Sequence, residues 1–114
     1  MTLTSADLTT LQTLVATGKA ARPDLASRIE RALVVVLFRE IEPLRDGYYS
    51  IAAERAHYTA SRQSCTCPDG QQRGGLCKHQ LAVGLIERLD EAQRAEEAAI
   101  LAHFSRPAYA NAAD

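Results

Sequence analysis

The chain has no tryptophan, one methionine and two phenylalanines, and aromatic residues make up only 5% of it. Its core must therefore be aliphatic, and 114 residues allow only a modest one. No apolar stretch reaches the ~20 residues that a membrane helix needs. Met1–Gly18 is polar and threonine-rich, without the basic start and apolar run of a secretory leader. No charge dominates: 13 basic side chains face 14 acidic ones, a net charge of −1, so nothing draws the whole molecule to nucleic acid or to acidic membranes. No internal repeat, interdomain linker or basic localisation run is present. Paired carboxylates, a phosphate loop and a nucleophile elbow are all missing, so the chain reads as a non-enzyme. Cysteine is scarce as well. Three residues, an odd number, argue against a closed disulfide framework. Free thiols suit a reducing cytoplasm, and for a eukaryotic chain the nucleus stays open.

What is present is unevenly spread. Hydrophobic residues make up 46% of the chain, as in a globular protein. Residues 1–53 carry six acidic and six basic side chains, and residues 80–114 six acidic and three basic. Only residues 54–79 are net basic, through Arg55, Arg62, Arg73 and Lys78 against Glu54 and Asp69.

Leu8, Leu11 and Val15 recur at helical spacing and predict a helix over Thr4–Thr17, capped by Thr4 or Ser5 and stopped by Gly18. Pro23 can open a second helix over Asp24–Arg39. Its broad apolar surface (Leu25, Ile29, Leu33, Val36, Leu37, with Val34, Phe38 and Ile41) predicts extensive burial. Leu33–Phe38 is also good strand material. Asp46-Gly47 is a hairpin signal, which gives strands over Ile41–Leu44 and Tyr48–Ala53, with a third over His57–Arg62. Leu81, Leu85, Ile86 and Leu89 mark a last helix. Asp90 with Gln93 could cap a separate one, so one long helix and two are both open. The predicted class is α+β: N-terminal helices, a small antiparallel β-meander, a metal loop, and one or two C-terminal helices. The predicted division is a helical segment (1–40) packed on a finger domain (41–106), with a flexible tail (107–114).

The densest chemistry lies in Cys65-Thr-Cys67-Pro-Asp-Gly-Gln-Gln-Arg-Gly-Gly-Leu-Cys77-Lys-His79. All three cysteines fall within this stretch, in C-x-C and C-x-H pairs of equal spacing. Residues two apart on an extended chain share a face, so Cys65 and Cys67 can grip one ion. Pro68 turns the chain away, and Gly70, Gly74 and Gly75 give freedom on the return. Cys77 and His79 would then start the last helix, whose positive end favours thiolate. Four such donors fill a zinc tetrahedron and leave no open position, which marks a structural metal. A Cys65–Cys67 disulfide would close a strained loop. A Cys77–His79 nucleophile and base pair would leave the C-x-C pair without a purpose.

With Pro68 after the second cysteine and Lys78 between the last two ligands, the string resembles the SWIM zinc finger. The likeness runs over Tyr48–Leu89, extends weakly to Ile41–Gly47, and leaves Met1–Arg22 unexplained. It implies zinc ligation by Cys65, Cys67, Cys77 and His79. One departure stands out: the family often has an aromatic residue where this chain has Gly70. SWIM modules occur in remodelling ATPases, Mutator-type transposases, recombination-associated proteins and ubiquitin-linked signalling proteins, and are credited with binding DNA or protein.

Around the ligands, Arg55, Arg62, Arg73 and Lys78 are candidates for phosphate contacts, or are ordinary solvated charge. Tyr48, Tyr49 and Tyr58 suit either base stacking or core cover. His57 reads as an exposed strand residue, and His103 as a helix C-terminal one. The acidic last helix would repel DNA, while its alanine side, with Leu101 and Phe104, could pair with a second subunit. The expected partner is therefore DNA at the zinc loop. The rival is a protein partner, as scaffold or homodimer, and an enzyme, or a redox sensor that releases zinc, is a more distant third.

Overall fold

The computed structural model describes residues 3–73 and 76–104, with only the backbone of Gln72 and Arg73. The predicted tail at 107–114 and the Gly74-Gly75 pair lie outside the described residues.

Helix α1 spans Ser5–Ala21. Thr4 caps it: its hydroxyl accepts the Asp7 N–H at 3.1 Å, and the Asp7 carboxylate accepts the Thr4 N–H at 2.9 Å. The predicted stop at Gly18 does not occur, and the helix runs on to Ala21. A Cβ at Gly18 would lie 3.4 Å from Ile29 Cδ1, so this is where α1 closes on the next helix. A 3₁₀ turn over Pro23–Leu25 leads into α2, Ala26–Phe38. Leu33–Phe38 is helical throughout. Its apolar surface is only half covered, however: Ile29, Ala32, Val35 and Val36 are buried, while Val34, Leu37 and Phe38 face outward.

Three short strands follow, β1 (Ile41–Pro43), β2 (Tyr49–Ala52) and β3 (His57–Ala60), in an antiparallel sheet of order β1-β2-β3. The register pairs Ile41 with Ile51 and Ile51 with Tyr58. Asp46 and Gly47 take φ values of 57° and 80°, as a tight hairpin turn demands at both central residues. Each strand is slightly shorter than its predicted span. Pro43, which cannot donate to a ladder, sits in an outer strand.

A short helix, α3, covers Pro68–Arg73, and α4 runs unbroken from Lys78 to Phe104. Asp90 does not begin a new helix; it pairs with Arg94 at 3.0 Å. Gln93 donates to Asp7 Oδ1 at 2.7 Å and ties α4 to the start of α1. Leu11, Ile51, Cys77 and Val83 are fully buried, so one core joins α1, β2, the metal loop and α4. Every residue of α4 from Asp90 onward is exposed. This half of the helix projects from the body, giving extents of 64 × 30 × 23 Å.

Candidate metal centre and basic cleft

Cys65, Cys67, Cys77 and His79 converge, their ligand atoms all within 4.8 Å of one another. Each is placed by a local device. Ser61 N–H donates to the Ser64 carbonyl at 2.8 Å, and the turn this closes brings Cys65 to bridge Ala60 at the end of β3. Cys67 caps α3: its carbonyl accepts Gln71 N–H at 3.0 Å and its Sγ accepts Gly70 N–H at 3.2 Å. Pro68 is thus the first residue of a helix, where its missing N–H costs nothing, rather than the turn read from the sequence. Cys77 likewise caps α4, its carbonyl accepting Leu81 N–H at 3.1 Å. His79 follows on the first turn of α4.

Gly70 departs from its expected role. Only Asp46 and Gly47 take positive φ among the described residues, so Gly70 supplies no unusual backbone angle. It supplies space: a Cβ there would lie 3.0 Å from both Cβ and the carbonyl oxygen of Cys65, and 3.4 Å from Cys67 Sγ. The larger side chain common in the family has no room at this point.

Gln80 is a site residue that the sequence reading passed over. It is 3% exposed, its Oε1 accepts Cys77 N–H at 3.2 Å, and its Nε2 donates to the Arg62 carbonyl at 3.4 Å. The signal was legible, because Cys77-x-x-Gln80 has the spacing of a capping box with cysteine in the serine position.

The donor set suits zinc. Four ligands at ~2.0–2.3 Å from a tetrahedral ion stand roughly 3.5–4 Å apart, so the cluster needs to close by only about an ångström. Nδ1 of His79 is the one buried side-chain polar atom without a hydrogen-bond partner among the described residues. Such an orphan is costly, and a metal resolves it. Burial pushes the Cys65 thiol up to about 12 and raises Cys77 as well. It outweighs the positive helix end that was expected to favour thiolate. Burial also lowers the His79 imidazole, helped by Lys78. Thiolates in so buried a place require a positive ion to hold them. All four ligands are buried.

A cleft of about 710 Å³ opens beside the ligands, lined by Cys67, Cys77 and His79 on its metal side. Arg55 and Lys78 stand in it as the sequence suggested. Arg28, Arg31 and Arg39 of α2 and its C-terminal cap join them from the opposite wall, and the only acidic side chains lining it are Glu54 and Asp69. Arg62 is elsewhere. It faces Glu87 at 3.7 Å and lines a separate groove with Arg88. The side chain of Arg73 lies outside the described residues. Tyr58 lines the cleft, its ring 5.2 Å from that of His79. His57 lies exposed on β3, outside the ligand cluster, and His103 is exposed near the end of α4.

The fold and the donor set define a small α+β protein built round a Cys₃His metal centre. Residues 58–83 match the family model of the SWIM zinc finger, and the cluster with this match points to a bound metal of the zinc type. No curated protein and no solved structure matches the chain. Among the described residues, no helix is long and apolar enough to cross a membrane.

Proposed function

We propose that the chain is a non-enzymatic zinc module in which one structural zinc ion holds the finger and the adjoining cleft binds nucleic acid. The observation that carries this is the gathering of Arg28, Arg31, Arg39, Arg55 and Lys78 around one cleft in a molecule of net charge −1. Cations gathered on one surface bind phosphates and release counterions, so affinity must fall with salt. A reducing compartment such as the cytoplasm keeps the three thiols free for metal.

The test is binding of the zinc-loaded protein to labelled DNA across a salt series, beside the double variant Arg39→Glu/Arg55→Glu. Binding that weakens with salt and is lost in the variant supports the reading. No binding even at low salt overturns it in favour of a protein partner. The exposed Ile100, Leu101 and Phe104 on the projecting half of α4 favour that second reading, including a homodimer.

A further inference from the structure

We infer that the cleft takes a single strand of nucleic acid rather than a duplex, with its phosphates along α2 and a base against Tyr58. This rests on the nucleic-acid reading above and names the substrate class of the same site.

Three features carry it. The first is the arginine stripe. Arg28 and Arg31 stand one turn apart on α2, and Arg39 follows at its extended C-terminal cap, about 16 Å from Arg28 along the axis. That is a track for several phosphates of one chain. Arg28 is anchored, donating to the Leu76 carbonyl at 3.3 Å next to Cys77, so α2 is tied directly to the metal loop. Arg31, Arg39 and Arg55 have no carboxylate partner among the described residues, whereas Lys19, Arg22, Arg62 and Arg94 are each paired outside the cleft.

The second is the aromatic face. Tyr58 lines the same cleft and is half-buried, its ring braced by His79. A fixed ring beside a row of cations is the arrangement that holds single strands, since every base has a face to stack and the backbone supplies the charge.

The third is shape. Duplex readers push a convex helix or ribbon into a groove about 12 Å wide. Here the cations line a concavity between α2 and the metal loop, and its floor is the metal centre. Paired bases have no free face to present to Tyr58. Zinc with three thiolates carries one negative charge, so the five cations and two acids of the lining leave the loaded cleft about two charges positive.

The experiment measures anisotropy of the full zinc-loaded chain with a labelled 12-nucleotide single strand and with the duplex of the same sequence, as DNA and as RNA, across a salt series. The variants are Tyr58→Leu and Arg31→Glu, each checked for zinc content and circular dichroism. Arg31 is exposed, so its variant keeps the question open if Tyr58→Leu fails to fold. Single strands are expected to bind at least tenfold tighter than duplex. Tyr58→Leu should weaken them about tenfold, the scale of one stacked base. Arg31→Glu should flatten the salt slope by about 0.7 or more. Equal or tighter duplex binding, or single-strand binding untouched by both variants, overturns the single-strand inference and leaves the nucleic-acid reading standing. Binding of neither form removes both. Comparison of the DNA and RNA arms identifies which strand is the ligand.

Discussion

Single atoms decide much at the metal loop. Gly70 approaches Cys65 so closely that a methyl group meets its Cβ and carbonyl at 3.0 Å. Neither is the free end of a side chain that can swing away. Gly70→Ala is therefore expected to cost about 1–3 kcal/mol by overpacking and to weaken metal binding. Urea unfolding with a competitive zinc-dye titration checks both, and an unchanged midpoint and affinity would refute the packing argument. His79→Ala and Cys77→Ser remove a donor outright and should abolish stoichiometric zinc on elemental analysis. Full zinc content in both would discard the ligand set. Cys65, Cys67, Cys77 and His79 were legible in the sequence because paired spacing survives without knowledge of the fold. The arginines of α2 were not. They lie far from the cysteines along the chain, and only the packing of α2 on α4 brings them to the cleft. Arg62 is near the cysteines in sequence, yet it faces Glu87 and lines a different groove.

Elements were easier to read than their ends. All three strands and the first, second and last helices stand where periodicity and turn residues placed them. Gly18 did not stop α1; it stays inside the last turn, its carbonyl accepting the N–H of the C-cap residue Arg22 at 2.8 Å. Pro68 was read as a turn, although a proline after a capping residue opens α3. Gly84 lies inside α4 with nothing within 4 Å of a would-be Cβ. Gly84→Ala should therefore stabilise the protein by about 0.5–1 kcal/mol, the opposite sign to Gly70→Ala. Loss of stability there would mean that the groove beside it is occupied. The Asp7 carboxylate, which caps α1 and accepts from Gln93 of α4, is expected to make this corner sensitive to acid. The backbone N–H of Thr4, then Gln93, holds the Asp7 carboxyl below its ordinary 3.8. Its contribution is therefore present above that pH and is lost as pH falls through the lower folded value. Asp7→Asn should reduce stability at neutral pH, and the gap from the parent should shrink as the solution is acidified below about pH 4. A gap that stays constant with pH would deny the link.

At the scale of the whole molecule, the metal centre lies within the core. Three buried cysteines and a buried histidine sit inside the main core, so stripping the ion leaves thiols and an orphaned imidazole nitrogen where packing should be. Zinc binding in small domains amounts to ~10 kcal/mol or more of apparent free energy. Chelation is thus expected to lower the melting temperature by tens of degrees or to unfold the chain, read by circular dichroism with and without a strong chelator. A melting curve that ignores the chelator would contradict a structural role. The projecting helix also shapes the molecule. Its radius of gyration is 17.5 Å, against about 13 Å for a compact chain of this size.

That helix also has a mechanical consequence. Cys77 and His79 fix its root beside the metal, and its tip stands about 40 Å away in solvent. A rod held at one end works as a pointer. Its buried face through Leu89 and the Gln93–Asp7 bond clamp the first part of the rod to the body, so the arm beyond them is about 16 Å long. Any tilt of α4 together with the body that holds it is thereby carried outward to Phe104.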